Sequence, residues 1–201
     1  LSNELAAAWD DLKFDEKDFL GAVGLSLPAG EKGRRPLEMI WSRPTCEVNG
    51  MTSGYTGDGF KTVLPSKASA KISFRLVGTQ DTLKIREDFR KLVSAMVPAD
   101  CTVTFKDHGA GPVGQMSTED PAFAKARSAL TDEFEKTAAY VGCGGSIPIA
   151  GYFKTILGMD AMLIGFGKDD DQIHSPNEKY DLSSFHKGTR SWARILHNLT
   201  K

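Results

Sequence analysis

Strict alternation of apolar and polar residues from Ala68 to Leu76 is the feature that most constrains the fold of this chain. The apolar positions are every second residue of that run: Ala70, Ile72, Phe74 and Leu76. A period of two is typical of a β-strand with one face buried and the other in water. The same alternation predicts two further strands, at Thr45–Asn49 and Cys101–Lys106.

An amphipathic helix is predicted between the second and third of these strands. Asp81 is its predicted N-cap, and Pro98 is expected to stop it because proline cannot continue a helix. Apolar residues recur at helical spacing in between: Ile85, Phe89, Leu92, Val93 and Met96. The module therefore reads β-β-α-β, an antiparallel sheet with a helix on one face.

The pattern changes after the glycine-rich loop His108–Gly114, which we interpret as a domain boundary. Helices are predicted to start at Asp120 and at Asp181. Between them, Ala138–Val141 reads as a short strand, and the apolar run Asp160–Phe166 as a strand buried on both faces. The last helix carries its large apolar residues on one stripe: Phe185, Trp192, Ile195, Leu196 and Leu199. Strands alternating with helices predict the α/β class.

Composition argues against several classes of function. The formal net charge is −1 and no basic run is present, so nucleic-acid binding is not expected. No apolar stretch approaches the ~20 residues that span a bilayer. The three cysteines form no CxxC pair, so we expect buried, reduced thiols in a cytoplasmic protein. Because the sequence starts at Leu1 with no initiating Met, we expect a fragment.

Gly142–Ser146 is a glycine-rich turn between a predicted strand and a predicted helix. Backbone N–H groups at such a turn can bind an anion, for example a substrate carboxylate or a developing oxyanion. The turn is not a P-loop, because no Gly-Lys-Ser/Thr follows at the required spacing. A tight turn in which Ser146 only caps the helix is the alternative interpretation.

The polar loop after Asp160–Phe166 contains His174 and the acidic run Asp169–Asp171. Open α/β sheets place ligands beyond the carboxyl ends of their strands, so His174 is a candidate zinc ligand. A structural role is the alternative for a lone histidine. The aspartates lack EF-hand spacing and are expected to form a solvated loop.

Arg75 lies on the polar face of a predicted strand. Its guanidinium can pair bidentately with a substrate carboxylate, or it can simply be solvated. Thr62 carries no signal by itself. A serine hydrolase is not predicted, because the sequence has no GxSxG elbow.

Several motifs together resemble one family. They are, in chain order, Val48-Asn49-Gly50, Gly54-Tyr55-Thr56-Gly57, Lys61-Thr62-Val63-Leu64-Pro65, Ile72-Ser73-Phe74-Arg75-Leu76-Val77, Gly144-Gly145-Ser146-Ile147-Pro148, Leu163-Ile164-Gly165-Phe166-Gly167 and His174-Ser175-Pro176-Asn177-Glu178-Lys179. They resemble the C-terminal half of the zinc metallopeptidase family of carnosine dipeptidase, acetylornithine deacetylase and succinyl-diaminopimelate desuccinylase. The dipeptidase branch fits best.

The resemblance implies an α/β catalytic domain with an inserted α+β lid, also called the dimerisation domain. Residues 1–43 would be a connector or partial lid, residues 44–114 the lid, and residues 115–201 the C-terminal part of the catalytic domain. The exposed edge strand of the lid would pair with a second subunit to form a homodimer.

The resemblance also implies roles for single residues. His174 matches the final zinc ligand of the family. The positions that match substrate-binding residues are Thr62 and Arg75 in the lid and Gly144, Gly145 and Ser146 in the carboxylate-binding turn. Family members usually carry Arg-Glu before Gly-Gly-Ser, whereas this chain has Gly142 and Cys143.

For the full-length protein, the resemblance implies two zinc ions per subunit, with manganese or cobalt as alternatives. The substrate would be a small peptide or an N-acyl amino acid whose amide bond is hydrolysed in the cytoplasm. The other metal ligands and the general-base glutamate are expected upstream, so no catalytic residue is assigned here and the isolated chain is expected to be inactive. The alternative is a non-enzymatic small-molecule-binding or dimerisation module with the same fold.

Overall fold

The computed structural model describes residues 2–143 and 147–201. Its helices and strands are, in chain order, α1 (Asn3–Asp10), α2 (Glu16–Gly21), α3 (Pro36–Ser42), β1 (Thr45–Ser53), β2 (Ala68–Arg75), α4 (Thr82–Met96), α5 (Pro121–Phe134), α6 (Pro148–Leu157), a 3₁₀ turn (Asp169–Asp171) and α7 (Leu182–Leu199).

The chain divides into two compact units. The helical unit consists of Leu1–Lys13, Met116–Val141 and Phe153–Lys201. The sheet unit consists of Phe14–Gln115 and Gly142–Tyr152. None of the described helices is both long and apolar enough to cross a bilayer.

The sheet unit is built on one antiparallel pair of strands. Thr45 at the start of β1 pairs with Arg75 at the end of β2, and the register shifts between Val48 and Gly50. Such a bulge lets one strand carry an unpaired residue and bend locally. Both strands lie where the alternation predicts them, and β1 continues beyond the predicted end at Asn49 to Ser53.

Helix α4 packs on the sheet through Phe89, whose ring meets that of Phe74 edge to face at 5.1 Å. Its N-cap is Asp81, as predicted, because the carboxylate accepts hydrogen bonds from the N–H groups at the start of the helix. The predicted apolar stripe is only partly covered, since Leu92 is 58% and Met96 is 75% exposed. The sheet therefore covers a narrower face of α4 than the apolar pattern offers.

The predicted third strand at Cys101–Lys106 is not formed, since the described residues of that segment have no strand partner. Arg90 of α4 tethers the segment instead. Its guanidinium lies 5.6 Å from the centre of the Phe105 ring and donates to Asp107 Oδ1 at 2.6 Å. Alternation predicts an extended segment, but a strand also needs a neighbour with which to form a hydrogen-bond ladder.

The core of the helical unit lies where α5 meets α7. Ala126 and Ala129 of α5 and Ile195 of α7 are buried there. Gly188 belongs to the same contact, because a Cβ at this position would lie 2.9 Å from the Phe166 ring. Small residues at these positions allow the neighbouring elements to approach closely.

Helix α7 does not bury the stripe predicted for it. Ile195 is buried, but the other members of the stripe are exposed: Phe185 (55%), Trp192 (44%), Leu196 (61%) and Leu199 (37%). The buried positions of α7 are instead Ser184, Gly188, Ser191 and Ile195. Helical periodicity identifies apolar faces, but it does not say which of two faces a neighbour covers.

The predicted strand at Asp160–Phe166 is not paired among the described residues, and it is partly buried on one face only. Met162 and Ile164 pack against the α5–α7 core. Phe166 stacks on Phe134 at 6.2 Å between ring centres. Leu163, which points the other way by alternation, is 51% exposed. The expectation of burial on both faces is therefore wrong.

The predicted strand at Ala138–Val141 is also unpaired among the described residues, and side chains hold it instead. Arg127 Nε donates to the Ala138 carbonyl at 2.6 Å, and the buried Trp9 donates its indole N–H to the Tyr140 carbonyl at 3.0 Å. The prediction of buried thiols is wrong, because all three free cysteines are exposed: Cys46, Cys101 and Cys143.

Glu133 of α5 is a buried carboxylate shared by two arginines of α7. Its Oε1 accepts a hydrogen bond from Arg190 at 2.7 Å, and its Oε2 accepts one from Arg194 at 3.1 Å. The bond from Arg190, reinforced by Arg194 and opposed by burial, holds the pKa of Glu133 below its usual range. Folding is therefore favoured by ionisation of this carboxyl above its ordinary pKa of about 4.3, and that contribution is lost as the pH falls through the folded-state pKa.

Glu133→Gln keeps the shape of the side chain and removes its charge. At pH 7 we expect a lower urea midpoint of unfolding than in the wild type, because both arginines lose an ionic partner. The difference should narrow as the pH falls below the ordinary pKa of about 4.3, and it should vanish only below the lowered folded-state pKa, where the wild-type carboxyl is also neutral. Glu119→Gln, at an exposed position, is the control. A difference that does not change with pH would contradict this account.

Candidate functional site

The loop that carries His174 has an unusual backbone. After the 3₁₀ turn at Asp169–Asp171, three residues other than glycine have positive φ: Gln172 (54°), His174 (63°) and Asn177 (64°). This conformation costs such a residue about 1 kcal/mol or more and persists only where its surroundings enforce it. Strain of this kind concentrates at functional sites, so this loop is a candidate functional site.

The loop is held by hydrogen bonds along its own length. The Ser175 N–H donates to the Gln172 carbonyl at 2.9 Å. The His174 N–H donates to Glu178 Oε2 at 3.3 Å, which is long for a hydrogen bond. His174 itself is exposed. Its imidazole therefore lies on the surface of the helical unit, where a neutral ring nitrogen can coordinate a metal ion.

Asp171 anchors the base of the loop and is only 1% exposed. Its Oδ2 accepts a hydrogen bond from the Lys168 N–H at 2.7 Å, and its Oδ1 accepts one from Lys179 Nζ at 3.0 Å. The first of these, together with the second, holds the pKa of Asp171 below its usual range. The expectation of a solvated acidic loop is therefore wrong for Asp171, whereas Asp170 is largely exposed.

The described residues supply one candidate metal ligand, His174, but not a complete metal site. No cluster of three or more His, Cys, Asp or Glu side chains is found in residues 2–143 and 147–201. A catalytic zinc needs three protein ligands besides water. The carboxylates of Asp170 and Asp171 are engaged with Lys179. His174 fits as a single nitrogen donor, and further donors would have to come from outside the described residues.

The predicted substrate-binding residues fall into three groups. Thr62 lies in the exposed connection between β1 and β2, and Arg75 is the last residue of β2, opposite Thr45. Both belong to the sheet unit, whereas His174 belongs to the helical unit. Gly144, Gly145 and Ser146 lie outside the described residues.

Gly142 packs directly against α3. A Cβ on Gly142 would lie 2.4 Å from the Trp41 carbonyl oxygen and 2.5 Å from Trp41 Cβ. No side chain fits there unless the backbone moves, which explains the glycine at this position. Trp41 was missed because it lies in the predicted connector, to which no role was given. No pattern in the sequence indicates this contact, because only folding brings Trp41 to Gly142.

Helix α6, which begins at Pro148, is held in a similar way. A Cβ on Gly151 would lie 2.7 Å from the Pro112 carbonyl oxygen, and one on Gly111 would lie 3.4 Å from Pro148 Cβ. The start of α6 therefore packs closely on the glycine-rich segment near Pro112. Both flanks of the Gly142–Ser146 stretch are thus fixed by parts of the sheet unit.

The chain belongs to Peptidase family M20/M25/M40, whose sequence profile matches residues 14–198. It is similar to the Cys-Gly metallodipeptidase dug1 of Schizosaccharomyces pombe, with 27% identity over 195 residues that cover 95% of this chain and 41% of that protein. It is also similar to the Beta-Ala-His dipeptidase of Mus musculus, with 25% identity over 176 residues that cover 81% of this chain and 34% of that protein. The chain thus spans well under half the length of these curated relatives.

Among solved structures, the chain resembles the M20 family metallo-carboxypeptidase Sso-CP2 from Sulfolobus solfataricus. The TM-score is 0.84 at 26% identity, and the match covers 98% of this chain and 45% of that one. These findings confirm the family that the motifs indicate. They also agree with an α/β-like fold in outline.

Gly142→Ala tests the contact with Trp41. The added methyl group must displace backbone, so we expect the free energy of unfolding to fall by about 1–3 kcal/mol, as overpacking usually costs. Gly165→Ala is the matched control, because a Cβ there meets nothing within 4 Å. Urea denaturation of both variants measures the difference. If the two variants unfold alike, the close approach to Trp41 is not a constraint.

Proposed function

We propose that this chain is the C-terminal part of a metal-dependent peptidase that hydrolyses the amide bond of dipeptides or N-acyl amino acids. The observation that carries the proposal is the family match over residues 14–198, combined with the share of its relatives that the chain spans. His174 supplies one metal ligand, and the remaining ligands and the general base come from polypeptide outside these 201 residues. The metal is zinc, two ions per subunit, or else manganese or cobalt.

The substrate class is argued from the named relatives and from this chain's own polar groups. One relative is a Cys-Gly dipeptidase and another a Beta-Ala-His dipeptidase. Dipeptides and N-acyl amino acids share a free carboxylate next to the cleaved amide bond. Arg75 can bind that carboxylate through two parallel hydrogen bonds. Thr62 and the Gly144–Ser146 turn are assigned to the same substrate from sequence alone.

In the reaction, the role of this chain is to bind and orient the substrate. A substrate held by its carboxylate presents its amide bond in a fixed position, which replaces a bimolecular encounter with an effectively unimolecular step. No proton transfer is assigned to the described residues, because they hold no complete metal site. The isolated chain is therefore expected to be inactive.

Exposed apolar surface supports the view that further polypeptide belongs with this chain. Leu163 and the outer face of α7, represented by Trp192 and Leu196, are each exposed by more than 40%. Extended apolar faces on a folded protein usually mark a surface that another segment or molecule covers. The isolated chain is expected to associate through these surfaces.

A homodimer through residues 44–114 belongs to the same proposal. Both strands of a two-stranded sheet are edge strands, and an unpaired edge is a template for another strand. Val48 and Met51 of β1 are 58% and 78% exposed. Free cysteines at Cys46, Cys101 and Cys143 suit the reducing cytoplasm, which is the proposed location.

The intact gene product and its His174→Ala variant test the metal assignment. We expect dipeptide hydrolysis that a chelator abolishes, and we expect His174→Ala to lose more than the roughly 10–100-fold that loss of an outer-shell partner costs. His108→Ala, an exposed histidine elsewhere in the chain, should retain activity. Wild-type activity in His174→Ala, or chelator-sensitive hydrolysis by residues 1–201 alone, would overturn the proposal.

Arg75→Ala tests whether Arg75 binds the substrate carboxylate. Loss of charged hydrogen bonds costs about 1.5–3 kcal/mol, so KM for a dipeptide should rise roughly 10–100-fold. Hydrolysis of the corresponding dipeptide amide, which lacks the carboxylate, should change little. Lys71→Ala is the control, because Lys71 is exposed on the same face of β2. An equal loss on dipeptide and amide would show that Arg75 does not bind the carboxylate.

A further inference from the structure

The loop that carries His174 is closed at its base by one pair of residues. Asp171 and Lys179 are joined twice: Lys179 Nζ donates to Asp171 Oδ1 at 3.0 Å, and the Lys179 N–H donates to the Asp171 carbonyl oxygen at 3.0 Å. Asp171 is buried, whereas the residues between the two, Gln172–Glu178, are all exposed. The fixed points of the loop are therefore its two ends.

The ammonium group of Lys179 is surrounded by carboxylates. It lies 3.0 Å from Asp170 Oδ2, 3.0 Å from Asp171 Oδ1 and 3.4 Å from Asp181 Oδ1. An ammonium has three N–H donors, so all three contacts can be made at once. Two carboxylates of the acidic run, those of Asp170 and Asp171, are therefore paired with this lysine.

The strained residues of the loop need such a restraint. Gln172, His174 and Asn177 all have positive φ, and the contact from the His174 N–H to Glu178 is long. Backbone of this kind relaxes unless the surrounding structure holds it. A double link between Asp171 and Lys179 fixes the distance between the two ends of the strained stretch. The closed loop therefore has fewer conformations into which its strained residues can relax.

We propose that Asp171 and Lys179 are positioning residues for His174, holding its backbone in the left-handed conformation. This inference rests on the proposed function, because the imidazole is placed for a metal ion that His174 shares with donors outside the described residues. Neither Asp171 nor Lys179 touches the metal or the substrate in this proposal. They act through the loop alone.

Lys168 provides a matched control within the same loop. Its side chain forms an ion pair with Asp181, as that of Lys179 does. However, Lys168 reaches Asp171 through its backbone N–H, which a side-chain substitution retains. Lys168→Met therefore removes the same charge from the same cluster but leaves the link between Asp171 and Lys179 intact.

The test uses the intact gene product with Lys179→Met, Lys179→Arg and Lys168→Met. Amide hydrogen exchange of residues 172–178 is measured in the metal-free proteins. We expect faster exchange there in Lys179→Met, with unchanged exchange in α5 and α7. Lys179→Arg, which can still bridge the carboxylates, should restore protection, and Lys168→Met should resemble the wild type. Zinc affinity should fall about 10–100-fold in Lys179→Met alone.

The outcomes separate the two proposals. Wild-type exchange in Lys179→Met, equal effects of Lys179→Met and Lys168→Met, or faster exchange with wild-type zinc affinity would each overturn the positioning role. A wild-type protein that binds no zinc would overturn the proposed function instead. Exchange is read in the metal-free protein, so it does not depend on activity.

Discussion

The close contact between α5 and α7 is the constraint on which the rest of the helical unit depends. Ala129 and Ile195 have no exposed surface, and Gly188 leaves room for the Phe166 ring. Since Phe166 ends the segment that lies on these helices, its position sets where the next loop begins. That loop carries His174. A change of one methyl group at Gly188 would therefore be felt at the proposed metal ligand, because packed interiors transmit strain.

Two buried carboxylates stabilise this arrangement, and both depend on cations from elsewhere in the unit. Glu133 joins α5 to α7 through Arg190 and Arg194, and Asp171 joins the two ends of the His174 loop through Lys179. An unpaired buried carboxylate would be costly, so each pair is retained or lost as a whole. The pKa of both carboxyls is lowered, so acid weakens the helix contact and the loop closure together.

Local sequence patterns predicted those strands and helices that are specified by their own residues. Strand β2 follows from its alternation, and α4 from its cap and its apolar spacing. The predictions for Cys101–Lys106 and Asp160–Phe166 failed because a strand also requires a partner that alternation does not identify. In the candidate site, His174 and Arg75 are predicted from their residue types and from the family resemblance. The contacts of Trp41, Asp171 and Lys179 could not be predicted in this way, because folding creates them.

Helix α7 leaves a large apolar surface exposed within the helical unit. One face, with Ser191 and Ile195, is buried on α5, while the adjacent face exposes Trp192 and Leu196. The outward side of the Asp160–Phe166 segment lacks cover as well, through Leu163. On the proposed function, the polypeptide that covers these faces is also the one that brings the missing metal ligands to His174. Completing the core and completing the metal site are then one event, so metal binding should stabilise the whole fold and not only the loop.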